Sequence, residues 1–273
     1  MKLLKIIKIG GNVIDNTEHL KSFLSDFATI QGPKILIHGG GKIATKISSE
    51  LGIESKLVDG RRITDADTLR VVTMVYAGLI NKNIVASLQQ NACNAIGLTG
   101  ADGNIIRAKK RPIKKIFSKE MNQEIDLDYG FVGDLDDSSV DSESLYILLE
   151  SGFTPVFSAI THDGNGQLLN TNADTIASVL AVSMVKHYDT SLIYCFEKAG
   201  VLMDVDDENS LIKSINPNNY SDLKKDGIIN EGMIPKLDNA FEAIKNGVKE
   251  VCIGKSDALS DLNQNNFGTR ITK

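Results

Sequence analysis

Lys34-Ile35-Leu36-Ile37-His38-Gly39-Gly40-Gly41-Lys42 is a short apolar run that ends in three glycines and passes into a helical pattern reaching Leu51. Strand, glycine turn and helix in that order form the unit from which parallel sheets are built. The same unit opens the chain, where Leu3 to Ile9 reads as a strand running straight into Gly10-Gly11. Asp65 to Gln90 follows as a long helical stretch with an expected break near Gly78, and Ala95-Ile96-Gly97-Leu98 reads as the next short strand. This alternation predicts an α/β protein with a largely parallel sheet.

Between Asn104 and Asp136 short apolar pieces alternate with charged clusters, which predicts hairpins laid over the sheet. Ser142 to Ser151 reads as a helix, Thr154 to Ala159 as a buried strand, and Asn172 to Lys186 as a helix rich in Ala and Val. The rhythm then restarts with a strand at Ser191 to Phe196, proline-opened helices at Pro217 to Lys225 and Pro235 to Asn246, and a strand at Glu250 to Ile253. A soft boundary near residue 181 divides the chain into lobes of 1–181 and 182–273, with no long linker between them.

The chain has 273 residues, 42% apolar and 24% charged, enough for a full core and ordinary for a soluble globular protein. Its formal net charge of −5, with acidic and basic residues interspersed, argues against nucleic acid as a partner. Cys93, Cys195 and Cys252 share no metal-type spacing and sit in apolar stretches, so they read as reduced core residues. The basic and apolar start, Met1 to Ile9, is broken by lysines and lacks a cleavage site, and no other stretch reads as the roughly 18 apolar residues of a membrane helix. A cytoplasmic protein without a membrane partner is expected.

Five segments carry the chemistry. Lys8 before Gly10-Gly11 puts an ammonium beside exposed backbone amides, a combination suited to phosphate oxygens as well as to a plain tight turn. Gly39-Gly40-Gly41 at a helix start suits an anion cradle, more glycine than a mere strand-to-helix turn needs. It is neither a phosphate loop, since Ile43 replaces the required Ser or Thr, nor a dinucleotide fingerprint. His38 reads as a structural residue. Arg62, beside Arg61 and ahead of Thr64-Asp65, offers a guanidinium for a carboxylate or simply a solvated charge. Asn170-Thr171-Asn172-Ala173-Asp174 brings two amides and an acid to one helix start, where Asn172 also suits an N-cap. Gly232-Met233-Ile234-Pro235-Lys236 sets a lysine at the positive end of a helix dipole, which suits an anionic ligand or else a solvated lysine that tolerates a small cost.

In this order the segments resemble the amino-acid kinase family, and within it the members that phosphorylate acylated glutamate. The likeness runs from Lys8-Ile9-Gly10-Gly11 to Gly268-Thr269 and takes in Asp59 to Thr64, Gly97 to Gly100, Asp102-Gly103 and Gly130-Phe131-Val132-Gly133. It implies an α/β/α sandwich in which the lobe 1–181 binds the acylated amino acid and mediates dimerisation and the lobe 182–273 binds ATP. It implies Lys8 and Lys236 as transition-state lysines and Asp174 as the acid that orients them. Gly11, Gly40 and Gly41 would donate backbone hydrogen bonds to the phosphoryl group. Arg62 and Asn170 would grip the α-carboxylate with Asn172 nearby, and Glu197, Gly200, Gly232 and Met233 would border the nucleotide.

The implied reaction transfers phosphate from ATP to the γ-carboxylate of N-acetyl-L-glutamate, in arginine biosynthesis, with Mg2+ held mainly by the nucleotide and no protein metal site. A γ-carboxylate ionises at about pH 4.3, so no general base is required. Two departures stand out. Phe196-Glu197 replaces the family's usual Thr-Asp or Ser-Asp, and Arg61 stands where a less polar residue is usual. The extra charge of Arg61 makes N-succinyl-L-glutamate an alternative substrate. Other amino-acid kinases and a catalytically degenerate ligand sensor are further alternatives. The start close to the first strand leads us to expect a homodimer without arginine feedback.

Overall fold

The computed structural model describes residues 1–58, 61–118, 123–229, 233–264 and 266–273. Its centre is an eight-stranded sheet in the order Ser214–Ile215, Thr269–Ile271, Glu250–Lys255, Asp189–Phe196, Leu3–Ile9, Lys34–His38, Thr154–Ser158, Ala95–Leu98. Every pairing is parallel except that of Glu250–Lys255 with Thr269–Ile271. The expected α/β class with a mainly parallel sheet is borne out.

The innermost strands are apolar at almost every position because helices cover both faces. All five residues of Lys34–His38 and of Thr154–Ser158 are buried. Lys34 is tolerated there because its ammonium donates to the carbonyls of Phe27, Ala28 and Ile30 at 2.7–2.9 Å. The helix Ala173–Ser183 packs on the three central strands and on the helix Ile234–Lys245, while Thr17–Thr29 packs on Asn81–Gln90. Cys93, Cys195 and Cys252 are free and buried, as expected of core residues.

Leu3–Ile9 is the middle of the sheet. It pairs with Asp189–Phe196 on one side and with Lys34–His38 on the other, so Lys8 stands opposite Tyr194 and Ile37. The connections leave this strand and its neighbours in opposite directions across the sheet, which opens a crevice beyond their carboxyl ends, where α/β proteins bind ligands.

Two expectations need correction. Gly78 does not break the long helix: Ala66–Val72, a π-helical stretch Thr73–Ile80 and Asn81–Gln90 run on continuously. Eight successive residues there are Thr or apolar or Gly, so no face is marked and the wider π turn is accommodated without an interruption in the sequence. That helix, Ala66–Gln90, is also long and apolar enough to cross a membrane by length and composition, contrary to the sequence reading. Val71, Val72, Val75, Tyr76, Ile80, Ile84 and Leu88 along it are core residues of the folded chain.

A smaller four-stranded sheet, ordered Ile160–His162, Leu168–Thr171, Val132–Asp134, Lys109–Lys110, lies over the crevice side. Together with the antiparallel pair Lys114–Ser118 and Gln123–Leu127 it accounts for the hairpins expected between Asn104 and Asp136.

Candidate active site

Lys8, one residue from the end of the central strand, is only 8% exposed, and its Nζ lies 2.7 Å from Oδ1 of Asp174. Asp174 is carried there by the start of the helix Ala173–Ser183. That start is fixed by Asn172, whose Oδ1 accepts from the backbone N–H groups of Asp174 at 2.8 Å and Thr175 at 3.0 Å. Lys236 enters from the first turn of Ile234–Lys245, where no side chain among the described residues caps the amides.

The two lysines meet at an aromatic ring. Lys236 Nζ is 4.1 Å from the centroid of Phe196 and Lys8 Nζ is 5.2 Å from it, both within cation–π range. Phe196 ends the strand beside Lys8 and stacks on Tyr194, two positions earlier on the same strand face. Burial pushes the Lys236 ammonium below its ordinary value; Asp174 acts against that shift and the charge of Lys8 adds to it. Two ammonium groups against one carboxylate leave a net positive, half-desolvated spot that an anion would fill.

On one side of this spot is a cavity of about 300 Å³ lined by Gly39, Gly40, Gly41, Arg62, Asn170 and Asn172 among others. Gly40 has φ 148°, and a methyl group on it would run into Ile80 and Tyr76 of the π-helical stretch, so only glycine fits. The helix Gly41–Glu50 behind it has no side-chain cap, which leaves its first amides for a ligand. Arg62 is braced: Nη1 donates to Ser55 Oγ at 2.6 Å, and Nη2 donates to Thr45 Oγ1 at 2.8 Å and the Gly41 carbonyl at 3.0 Å. Asn170 Nδ2 donates to Thr64 Oγ1 at 3.1 Å.

On the other side is a cavity of about 330 Å³ lined by Lys8, Gly10, Gly11, Phe196, Glu197, Gly200, Met233 and Lys236. Glu197 is exposed and Gly200 is buried. Gly232, expected at the nucleotide border, and Asp59-Gly60, ahead of Arg61, lie outside the described residues. Among the described residues no group of three His, Cys, Asp or Glu side chains is placed to hold a metal ion.

His38 is fully buried, its Nε2 meets Asn81 Nδ2 at 3.1 Å, and desolvation pushes its pKa down to about 4. A neutral imidazole tying strand to helix fits the structural reading. Two cavity residues escaped the sequence reading. Tyr76 comes from the π-helical stretch, and Arg111 comes from a basic cluster that looks like a solvated hairpin.

Residues 4–255 match the model of the amino acid kinase family. The chain belongs to that family. As an amino acid kinase it is 56% identical over 273 residues to the acetylglutamate kinase of Cytophaga hutchinsonii, covering 99% of both chains. It is 52% identical over 270 residues to the acetylglutamate kinase of Bacteroides thetaiotaomicron, covering 99% of this chain and 98% of the other. Carbamate kinase from Giardia lamblia bound to AMP-PNP superposes with a TM-score of 0.69 at 15% identity, over 100% of this chain and 99% of the other. The family's fold therefore spans the whole of this amino acid kinase.

Proposed function

We propose that the protein is an ATP-dependent phosphotransferase that converts the γ-carboxylate of an N-acylated L-glutamate to an acyl phosphate, with N-acetyl-L-glutamate, the substrate in its relatives' names, as reference substrate. The observation that carries the reading is the Lys8–Asp174 pair, joined to Lys236 through the Phe196 ring, between two cavities at the carboxyl ends of the central strands.

In this reading a γ-carboxylate oxygen attacks the γ-phosphorus of ATP in line. The new O–P bond forms as the bond to the β,γ-bridging oxygen breaks, and its electron pair leaves with ADP. No proton has to move, because the nucleophile is already ionised at neutral pH. Catalysis then rests on positioning and charge neutralisation. Lys8 and Lys236 meet the negative charge spread over the transferring group, and Asp174 keeps Lys8 in place. Backbone amides at Gly11, Gly40 and Gly41 supply further donors. Arg62 and Asn170 hold the α-carboxylate, with Asn172 beside them. Glu197, Gly200 and Met233 border the nucleotide.

The donor set around the site suits a Mg2+ ion carried on triphosphate oxygens: Asp174 is committed to Lys8, and Glu197 is exposed. Such an ion neutralises phosphate charge when the nucleotide binds. We assign residues 1–181 to the acylated substrate and residues 182–273 to ATP, with Lys8, Gly10 and Gly11 shared across the boundary. A cytoplasmic setting fits three unpaired buried cysteines, and arginine biosynthesis fits the product. A homodimer is supported by the sheet edge at Ala95–Leu98 and by Met74 and Leu79, apolar yet half-exposed on the long helix.

The deciding experiment measures ADP release with Mg-ATP and N-acetyl-L-glutamate or N-succinyl-L-glutamate, with Lys8→Ala as blank. Turnover that Lys8→Ala abolishes supports the kinase. Folded protein that binds ATP and turns over neither acid would favour the sensor alternative.

A further inference from the structure

The acceptor cavity holds more positive charge than an acetylated glutamate answers. Three guanidinium groups line it, from Arg61, Arg62 and Arg111, against the single carboxylate of Asp134. Arg62 is assigned above to the α-carboxylate, and the γ-carboxylate must face Lys8 and Lys236 to react. One cation therefore remains in excess once Asp134 has paired with another.

Arg111 is the more telling of the remaining two. It is 8% exposed, its Nη2 donates to Asp134 Oδ1 at 2.6 Å, and its guanidinium sits 5.0 Å over the Tyr129 ring. Its Nε also donates to Asp134, at 3.1 Å. Its Nη1, however, is buried and has no hydrogen-bond partner among the described residues. A buried charged donor left unpaired is costly, so an acceptor that enters the cavity beside it would be held strongly. Arg61 lines the same cavity, is exposed, and forms no ion pair among the described residues. The antiparallel contact of Val58 with Arg61 and of Leu57 with Arg62 holds both arginines on one two-stranded ribbon against the cavity.

We propose that Arg111 and Arg61 form a second carboxylate-binding point, and that the acyl group of the natural substrate carries a terminal carboxylate of its own. The substrate class is then an L-glutamate whose amine is joined to one end of a dicarboxylic acid. This rests on the acylglutamate kinase reading given above and narrows it. A bidentate guanidinium suits a planar carboxylate, and the neutral methyl of an acetyl group offers Nη1 of Arg111 nothing to accept its hydrogen bond.

The test compares kcat/KM for N-succinyl-L-glutamate and N-acetyl-L-glutamate at saturating Mg-ATP, in the unmodified protein, Arg61→Ala and Arg111→Lys. Loss of one charge-assisted hydrogen bond corresponds to about 10- to 100-fold in affinity. The succinyl compound is accordingly expected to be preferred by about tenfold or more, and each variant to lower the succinyl-to-acetyl ratio by about tenfold. Arg61 is exposed, so its variant tests the idea even if Arg111→Lys folds poorly. Preference for the acetyl compound, or variants that slow both substrates in parallel, would overturn the second binding point while leaving the kinase intact. Absence of turnover with either compound would remove the kinase reading and the proposal with it.

Discussion

Phe196 stands where the resemblance leads one to expect a hydroxyl residue, and here its ring lies against both ammonium groups of the site. An aromatic face holds a cation without neutralising it, so the lysines stay available to an anion while their separation is fixed. Lys8→Ala or Lys236→Ala is expected to lower kcat by about two to three decades, by analogy with removal of one preorganised oxyanion donor. Phe196→Leu keeps the apolar bulk and removes the π face; a fall in kcat of about tenfold with an unchanged unfolding temperature is expected. Steady-state kinetics beside thermal unfolding checks both, and full activity in Phe196→Leu would reduce the ring to packing.

His38 makes a different prediction. With its pKa pushed down to about 4 by burial, the folded chain keeps the imidazole neutral, whereas an unfolded chain protonates it near the ordinary value of 6.5. Stability is thus fully present above pH 6.5 and declines as pH falls toward 4, by about 3 kcal/mol from this group. Urea unfolding at several pH values, compared with His38→Gln, should show a shallower decline in the variant. At this scale Lys8, Asp174 and Lys236 were legible because each stands at the end of an apolar run or the start of a helix. Arg111 was not, because its proximity to Arg62 arises only when a hairpin folds over a sheet edge.

Among the elements, the helix starts govern the site. Asn172 carries out two tasks, capping Ala173–Ser183 and setting the height of Asp174 beside Lys8. Asn172→Ala should cost about 1 kcal/mol of stability through the lost cap, and a drop in kcat with it, read by unfolding and turnover on the same preparation. Gly40→Ala forces a side chain into a left-handed φ of 148° and against Ile80 and Tyr76. It should destabilise the fold by about 2 kcal/mol or more and open the acceptor cavity. Strands and helices at Leu3–Ile9, Ala95–Leu98 and Pro217–Lys225 fall where the apolar pattern puts them. The strands Ser214–Ile215 and Thr269–Ile271 are too short to carry a period of two, and the π-helical turn is too uniformly apolar to carry any period.

At the scale of the whole molecule, both halves of the chain contribute to one sheet. Leu3–Ile9 hydrogen-bonds to a strand from each side of residue 181, so neither half keeps its sheet intact alone. Denaturant unfolding followed by far-ultraviolet circular dichroism and by hydrogen exchange should give one coincident transition, with the amides of Ile6 to Ile9 and Leu192 to Tyr194 exchanging last. Two separated transitions would mean that the lobes melt independently.

The central strand also acts as a ruler. The loops that would hold donor and acceptor leave from Phe196 and His38, the ends of the strands on either side of Leu3–Ile9, and backbone hydrogen bonding sets each of those intervals at about 4.8 Å. The span across which phosphate travels is thus dictated by peptide geometry, independent of the side chains that choose the acid. Evolution, or a protein engineer, is then free to recut the acyl pocket around Arg61 and Arg111 and change which acid is phosphorylated, while the stroke length of the transfer stays constant.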